Sequence, residues 1–158
     1  MNEKVVAITG ASNGMGLEAA KLFANKGWKV FAGARRVEKI PRDADRIVAL
    51  HLDVTNTDSN HAFVTHILKE AGHIDVLINN AGYGEYGPAE EISMTKIRNQ
   101  FETNFFGAVE LTQLVLPTMR AQNDGRIVNI SSIGGRSTCP LEPTTMQQKQ
   151  RFNNGVMS

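Results

Sequence analysis

The sequence predicts an α/β protein built on a doubly wound parallel sheet with helices on both faces. Two patterns carry the expectation. Short runs rich in Val and Ile alternate with longer segments whose apolar residues recur at helical spacing. The connections between them are short, which suits right-handed strand–helix–strand crossovers in a parallel sheet.

Val5-Val6-Ala7-Ile8-Thr9 is an apolar run of the kind expected for a strand buried on both faces. A glycine-rich turn comes next, and then Leu17, Ala20, Leu22, Phe23 and Ala24 suggest a helix that Gly27 ends. Lys29 to Ala34 is the second strand and Arg46 to Leu52 the third. Ala62, Val64, Ile67, Leu68 and Ala71 suggest another helix, closed by Gly72. Ile74 to Ile78 is a fourth strand. A long helical region covers Met94 to Gln122, with a break expected near Asn104–Gly107. Asp124-Gly125 makes a turn into a fifth strand, Arg126 to Ile130. After residue 140 the pattern dissolves: Pro140-Leu141-Glu142-Pro143 breaks regular structure, and the remainder of the chain is polar. The expected organisation is one domain over 1–141 and an aberrant or disordered tail over 142–158.

A chain of 158 residues suits one domain with a sizeable core. The formal charge of +1 gives no electrostatic case for nucleic acid or an anionic membrane surface. No apolar run approaches the roughly 18 residues of a spanning helix. The opening Met1-Asn2-Glu3-Lys4 shows no secretory signal, and the one cysteine, Cys139, has no partner for an intramolecular disulfide. Together these favour a reducing, cytoplasmic setting. No metal site is assigned.

Thr9-Gly10-Ala11-Ser12-Asn13-Gly14-Met15-Gly16 joins the first strand to the first helix. Glycines there permit a tight turn and let backbone approach a pyrophosphate, while the helix start supplies free N–H groups. Gly10, Ser12, Asn13, Gly14, Met15 and Gly16 are therefore candidate dinucleotide contacts. The plainer alternative is a turn that merely needs positive φ.

The loop spacing is GxxxGxG, and TGASNGMG resembles the phosphate loop of the short-chain dehydrogenase/reductase family. Leu52-Asp53-Val54, Asn79-Asn80-Ala81-Gly82, Asn104 within NFFG, and Ile130-Ser131-Ser132 agree with that family in order and placement, over roughly residues 3–141. The resemblance implies a Rossmann-like sheet, incomplete at the C-terminus here. It also implies a nicotinamide cofactor and a small-molecule carbonyl or alcohol substrate. It places Asp53 and Val54 near the adenine and Asn80, Ala81 and Gly82 along the cofactor cleft. Asp53 has a plainer alternative, capping the next turn.

NAD-binding proteins of this architecture carry an acidic residue at the end of the second strand, for the ribose hydroxyls. Here the chain reads Ala34-Arg35-Arg36. A small residue followed by arginine leaves room for a 2′-phosphate and offers a planar cationic donor. NADP is favoured over NAD, with Arg35 the first contact and Arg36 the second; solvated surface charge is the alternative for both.

In the resembled family a tyrosine protonates the substrate oxygen, aided by a lysine four residues later, a serine that orients the oxygen, and an asparagine. Ser132 matches the serine and Asn104 the asparagine. A turn-forming hydroxyl and a helix-break residue are their respective alternatives. Lys149 stands at the lysine position, but Thr145 stands where the tyrosine is expected. An aliphatic hydroxyl is a far weaker acid than a phenol of pKa about 10, so the chain as written lacks its proton donor.

A six-stranded doubly wound sheet needs about 180 residues at roughly 30 per strand–helix unit, so the chain is expected to be short of a full fold, with an exposed fifth strand. The genetic code suggests a cause. Read one base earlier, the codons for Thr144 to Gln150 become NAC, NAC, NAT, GCA, RCA, RAA, RCA. That frame permits a tyrosine at position 145 and a lysine at position 149. A single-base shift near residue 142 is the expectation. Two functions compete: an NADP(H)-dependent carbonyl/alcohol oxidoreductase, and an inactive truncated fold that binds only dinucleotide or a protein partner. Pairing of copies through helices is common among the resembled proteins, and truncation would weaken it.

Overall fold

The computed structural model describes residues 3–41, 46–88 and 90–132. Five parallel strands form one sheet: β1 (Val5–Thr9), β2 (Lys29–Ala34), β3 (Ile47–His51), β4 (Val76–Asn79) and β5 (Arg126–Asn129). Their order is β3-β2-β1-β4-β5. The chain winds outward from β1 to β3, then crosses to the other side of β1 to lay down β4 and β5. Strand order therefore reverses between β1 and β4, and the loops leaving these strands diverge to open a crevice.

Alternate residues of β1 feed two cores. Val5 and Ala7 join Phe31, Phe63, Ile67, Leu77 and Leu111 on one face. Val6 and Ile8 join Val30, Ala32, Val76 and Ile78 on the other. Burial on both faces explains why β1, β2 and β4 read as continuous apolar runs; β3 and β5, at the two edges, are only partly buried. The third strand loses one residue at each end relative to expectation. The fourth starts two residues later and ends one later, with Asp75 just before it bonded to Val5 through both main chain and carboxylate.

The helices arise from their caps and apolar faces. α1 (Gly14–Asn25) covers the second face through Ala20, with Ala19, Phe23 and Ala24 partly buried. Leu22, expected on that stripe, is instead exposed. Beyond α1, the Trp28 N–H reaches back to the Phe23 carbonyl at 3.1 Å, and the two rings meet edge to face at 5.1 Å. α2 (Thr57–Ala71) starts on Asn56, whose side chain accepts from the Ser59 N–H at 2.8 Å. It ends at Gly72, left-handed at φ 77°. Its buried face is Asn60, Phe63, Val64 and Ile67, one position away from the expected Ala62, which is exposed.

Between β4 and β5 runs α3 (Met94–Phe101), a π-helical turn (Glu102–Phe106) and α4 (Gly107–Ala121). The expected break near Asn104 is thus a widened turn inside a continuous helix. Such π turns insert one residue and re-aim the side chains around them. No helix among the described residues is long and apolar enough to cross a membrane. Thr145, Lys149, Cys139 and the expected tail lie outside the described residues.

Candidate functional site

The loops leaving β1 and β4 are joined by polar side chains. The Thr9 hydroxyl accepts from the main-chain N–H of Asn80 at 3.0 Å and of Ala81 at 2.9 Å. The Asn80 amide donates to the carbonyls of Thr9 at 3.0 Å and Gly10 at 3.2 Å. This leaves no room for side chains beside it. A Cβ on Gly10 would sit 2.8 Å from the Ala81 Cα, and one on Gly16 would strike the Asn80 amide and the Gly10 carbonyl. Two glycines of the loop are therefore required by close approach of backbone to backbone.

The third, Gly14, is left-handed at φ +53°, as Gly10 is at +68°, but a Cβ there would meet open space. It begins α1. The N-termini of α2 and α3 are capped by the side chains of Asn56 and Ser93, whereas Asn13 makes no side-chain cap on α1. Helix-start N–H groups need a partner, and these open onto a cleft of about 420 Å³. An uncapped N-terminus behind a glycine turn fits a pyrophosphate.

The cleft gathers the expected cofactor residues from four loops. Gly10, Ser12, Asn13, Gly14 and Met15 come from the loop after β1. Arg35 and Arg36, both exposed, follow the buried Ala34 at the end of β2. Asp53 and Val54 follow β3, and Asn80, Ala81 and Gly82 follow β4. Gly16 is buried behind this lining. Asp53 also closes a turn: one carboxylate oxygen accepts from the Thr55 N–H at 3.1 Å and the Thr55 hydroxyl at 2.8 Å. Burial raises the Asp53 pKa, but the Thr55 bonds and the Arg35 charge outweigh it and hold the carboxyl below its ordinary value.

Asn104 sits in the π turn. Its Oδ1 accepts from the Tyr83 N–H at 2.9 Å, and its Nδ2 donates to the Tyr83 carbonyl at 2.7 Å. Three residues on, Gly107 packs so closely on Val54 that a Cβ would meet the Val54 carbonyl. The widened turn thus brings one helix against two walls of the cleft. Ser131 and Ser132 are exposed just past β5, beyond Ile130, which lines the cleft; Ser132 itself is outside the lining.

Sequence reasoning missed three participants. Tyr83 and Thr103 line the cleft. Partial burial and the Glu85 carboxylate raise the Tyr83 pKa, against smaller opposing effects of Arg35 and Lys96, so its phenol stays protonated at neutral pH. Gln100 is fully buried and holds the chain beyond Tyr83. The signal for Gln100 was weak: a glutamine on a largely polar helix reads as solvent-facing.

A parallel sheet whose crevice lies over the carboxyl ends of β1 and β4, with an uncapped helix start on one wall, defines the class of dinucleotide-binding α/β proteins. The comparisons make this specific. The family model for short chain dehydrogenase matches residues 4–144. A 3-ketodihydrosphingosine reductase of Bacteroides thetaiotaomicron is 39% identical over 142 residues, covering 90% of this chain and 52% of that protein. Human dehydrogenase/reductase SDR family member 7 is 36% identical over 152 residues, covering 89% and 45%. Among solved structures, a short-chain dehydrogenase from Streptomyces avermitilis superposes with a TM-score of 0.91 at 35% identity, covering 96% of this chain and 58% of that one. A metagenomic short-chain oxidoreductase in complex with NADP gives 0.92 at 29% identity, covering 98% and 74%. The chain belongs to the short-chain dehydrogenase family. It spans about half the length of the curated relatives it matches.

Proposed function

We propose that this chain binds NADP(H) in the cleft and carries part of a hydride-transfer site for a carbonyl or alcohol substrate. The observation that carries the proposal is the convergence of an uncapped helix start, two exposed arginines and the Asn80–Gly82 loop on one space. The α1 N-terminus and Gly14 hold the pyrophosphate, and Arg35, with Arg36 behind it, pairs with the 2′-phosphate. The NADP complex of a structural neighbour supports that cofactor. Bound nicotinamide supplies the hydride. On the protein side, Asn104 fixes the cleft wall through Tyr83, and Ser132 is assigned to donate a hydrogen bond to the substrate oxygen. Lys149 keeps the register of the family's lysine. A cytoplasmic setting and helix-mediated pairing of copies belong to the same proposal.

Thr145 favours a second reading, in which dinucleotide is bound without turnover. Tyr83 does not reproduce the family's tyrosine–lysine pair, because Gly87 stands four residues after it. We read the segment from about 142 as the product of a single-base shift, since the neighbouring frame permits a tyrosine and a lysine in register. A fluorescence titration with NADPH, followed by assays on a carbonyl panel, separates the readings. Binding without turnover supports the inactive form, and robust turnover overturns the inference from Thr145. The coding sequence over residues 138–158, with an intact-protein mass, tests the shift; a neighbouring frame without the Tyr-x-x-x-Lys spacing would sink it.

A further inference from the structure

We propose that Gln100 is a positioning residue for the cleft wall beyond Tyr83, acting with Asn104 as a two-point clamp on a segment without regular structure. Residues 81–86 belong to no helix or strand, yet they continue directly from the Asn80–Gly82 lining. Such a segment needs partners for its main chain. The Tyr83 N–H donates to Asn104 Oδ1 at 2.9 Å, and the Glu85 N–H donates to Gln100 Oε1 at 2.6 Å.

Gln100 lies in the last turn of α3 and Asn104 in the π turn that follows it, so their side-chain oxygens face the same segment about one helical turn apart. Two side-chain amides of one continuous helix therefore supply the acceptors for the N–H groups of Tyr83 and Glu85. Lys96, four residues before Gln100, reaches the Glu85 carboxylate at 3.4 Å. That outer pair is exposed on the lysine side and contributes little. Gln100 is different: its relative exposure is 0%, and a buried amide is costly unless its hydrogen bonds are made. An apolar residue would fill the same space without that cost, so the energetic role of the amide lies in the hydrogen bond it gives the loop.

The loop claim stands on this geometry alone; its effect on cofactor affinity rests on the proposed dinucleotide site. Hydrogen exchange at single amides, measured on the full chain by NMR, tests it in Gln100→Met and Gln100→Glu. In Gln100→Met the Glu85 amide should exchange about tenfold faster, with β1 and β4 amides unchanged. Gln100→Glu keeps an acceptor oxygen at the cost of burying a carboxyl, so it should be less stable overall yet restore protection at Glu85 relative to Gln100→Met. NADPH affinity should fall about threefold to tenfold in Gln100→Met and recover in Gln100→Glu. Glu85→Gln controls for the exposed Lys96 pair; Glu85→Pro removes the N–H donor as well as that pair without altering a helix residue, and the preceding Gly84 tolerates proline. Glu85→Pro should reproduce the affinity loss, and the double variant should lose no more. Unchanged Glu85 exchange, equal acceleration throughout the sheet, or additive losses overturn the proposal. If the parent chain binds no dinucleotide, the cofactor reading falls while the exchange comparison still decides the loop claim.

Discussion

Single residues decide whether the cleft exists. Gly16→Ala places a methyl against the Asn80 amide and the Gly10 carbonyl, neither of which is the free end of a flexible chain. It should cost about 1–3 kcal/mol in urea unfolding and abolish NADPH binding. Gly14→Ala meets no atom but inherits a left-handed backbone, so its cost should be about 1–2 kcal/mol. Unfolding curves of the two variants, read beside titrations, check this: Gly16→Ala should lose the cleft, whereas Gly14→Ala should lose stability and weaken NADPH binding without abolishing the cleft. These glycines were legible in the sequence because their backbone demands are written in residue type. Asn80 was legible only through the resemblance of Asn79-Asn80-Ala81-Gly82 to the family pattern. Gln100 was not, because its burial depends on a segment 15 residues earlier folding over it.

At the scale of elements, the strands meet at their entry ends through Asp75. Its carboxylate accepts from the Val5 N–H at 2.7 Å and pairs with the Lys4 ammonium at 2.7 Å. Burial pushes the Asp75 pKa up, but Lys4, the Val5 N–H and His73 together pull it below its ordinary value. A depressed folded pKa means the unfolded chain binds more protons, so this stabilisation is present above the unfolded pKa and lost as pH falls through the folded one. Urea midpoints should therefore drop on acidification below about pH 4, and Asp75→Asn should flatten that part of the profile while lowering stability at neutral pH. A parallel drop in both proteins would contradict the assignment. The π turn makes a second prediction. Asn104→Ala removes two hydrogen bonds to Tyr83, which is exposed enough for water to replace them in part, so about 1 kcal/mol of stability should be lost. NADPH affinity should fall with it, as measured by titration. The central strands β1, β2 and β4 were legible because burial on both faces writes them as apolar runs. The helix around Asn104 was only half legible, since a widened turn has no signature of its own and reads as a break.

For the whole molecule, topology explains why residues far apart in sequence share one site. Reversal of strand order between β1 and β4 opens the crevice, and each strand from β1 to β4 delivers its exit loop to it. That much was legible in the alternation of strands and helices. What the pattern of apolar residues did not contain is the joining of the loops by Thr9, Asn80 and Asn104, which is a matter of side-chain reach. The central claim is that this cleft holds a dinucleotide and reads its 2′-phosphate through Arg35 and Arg36. The most direct test is a pair of fluorescence titrations, NADPH against NADH, on the 158-residue chain and on its Arg35→Ser/Arg36→Ser variant. Charge-assisted pairing with the phosphate predicts NADPH tighter by about tenfold to a hundredfold in the parent chain, with the preference largely gone in the variant. Equal affinities for the two cofactors in the parent, or a preference that survives the loss of both arginines, would contradict it.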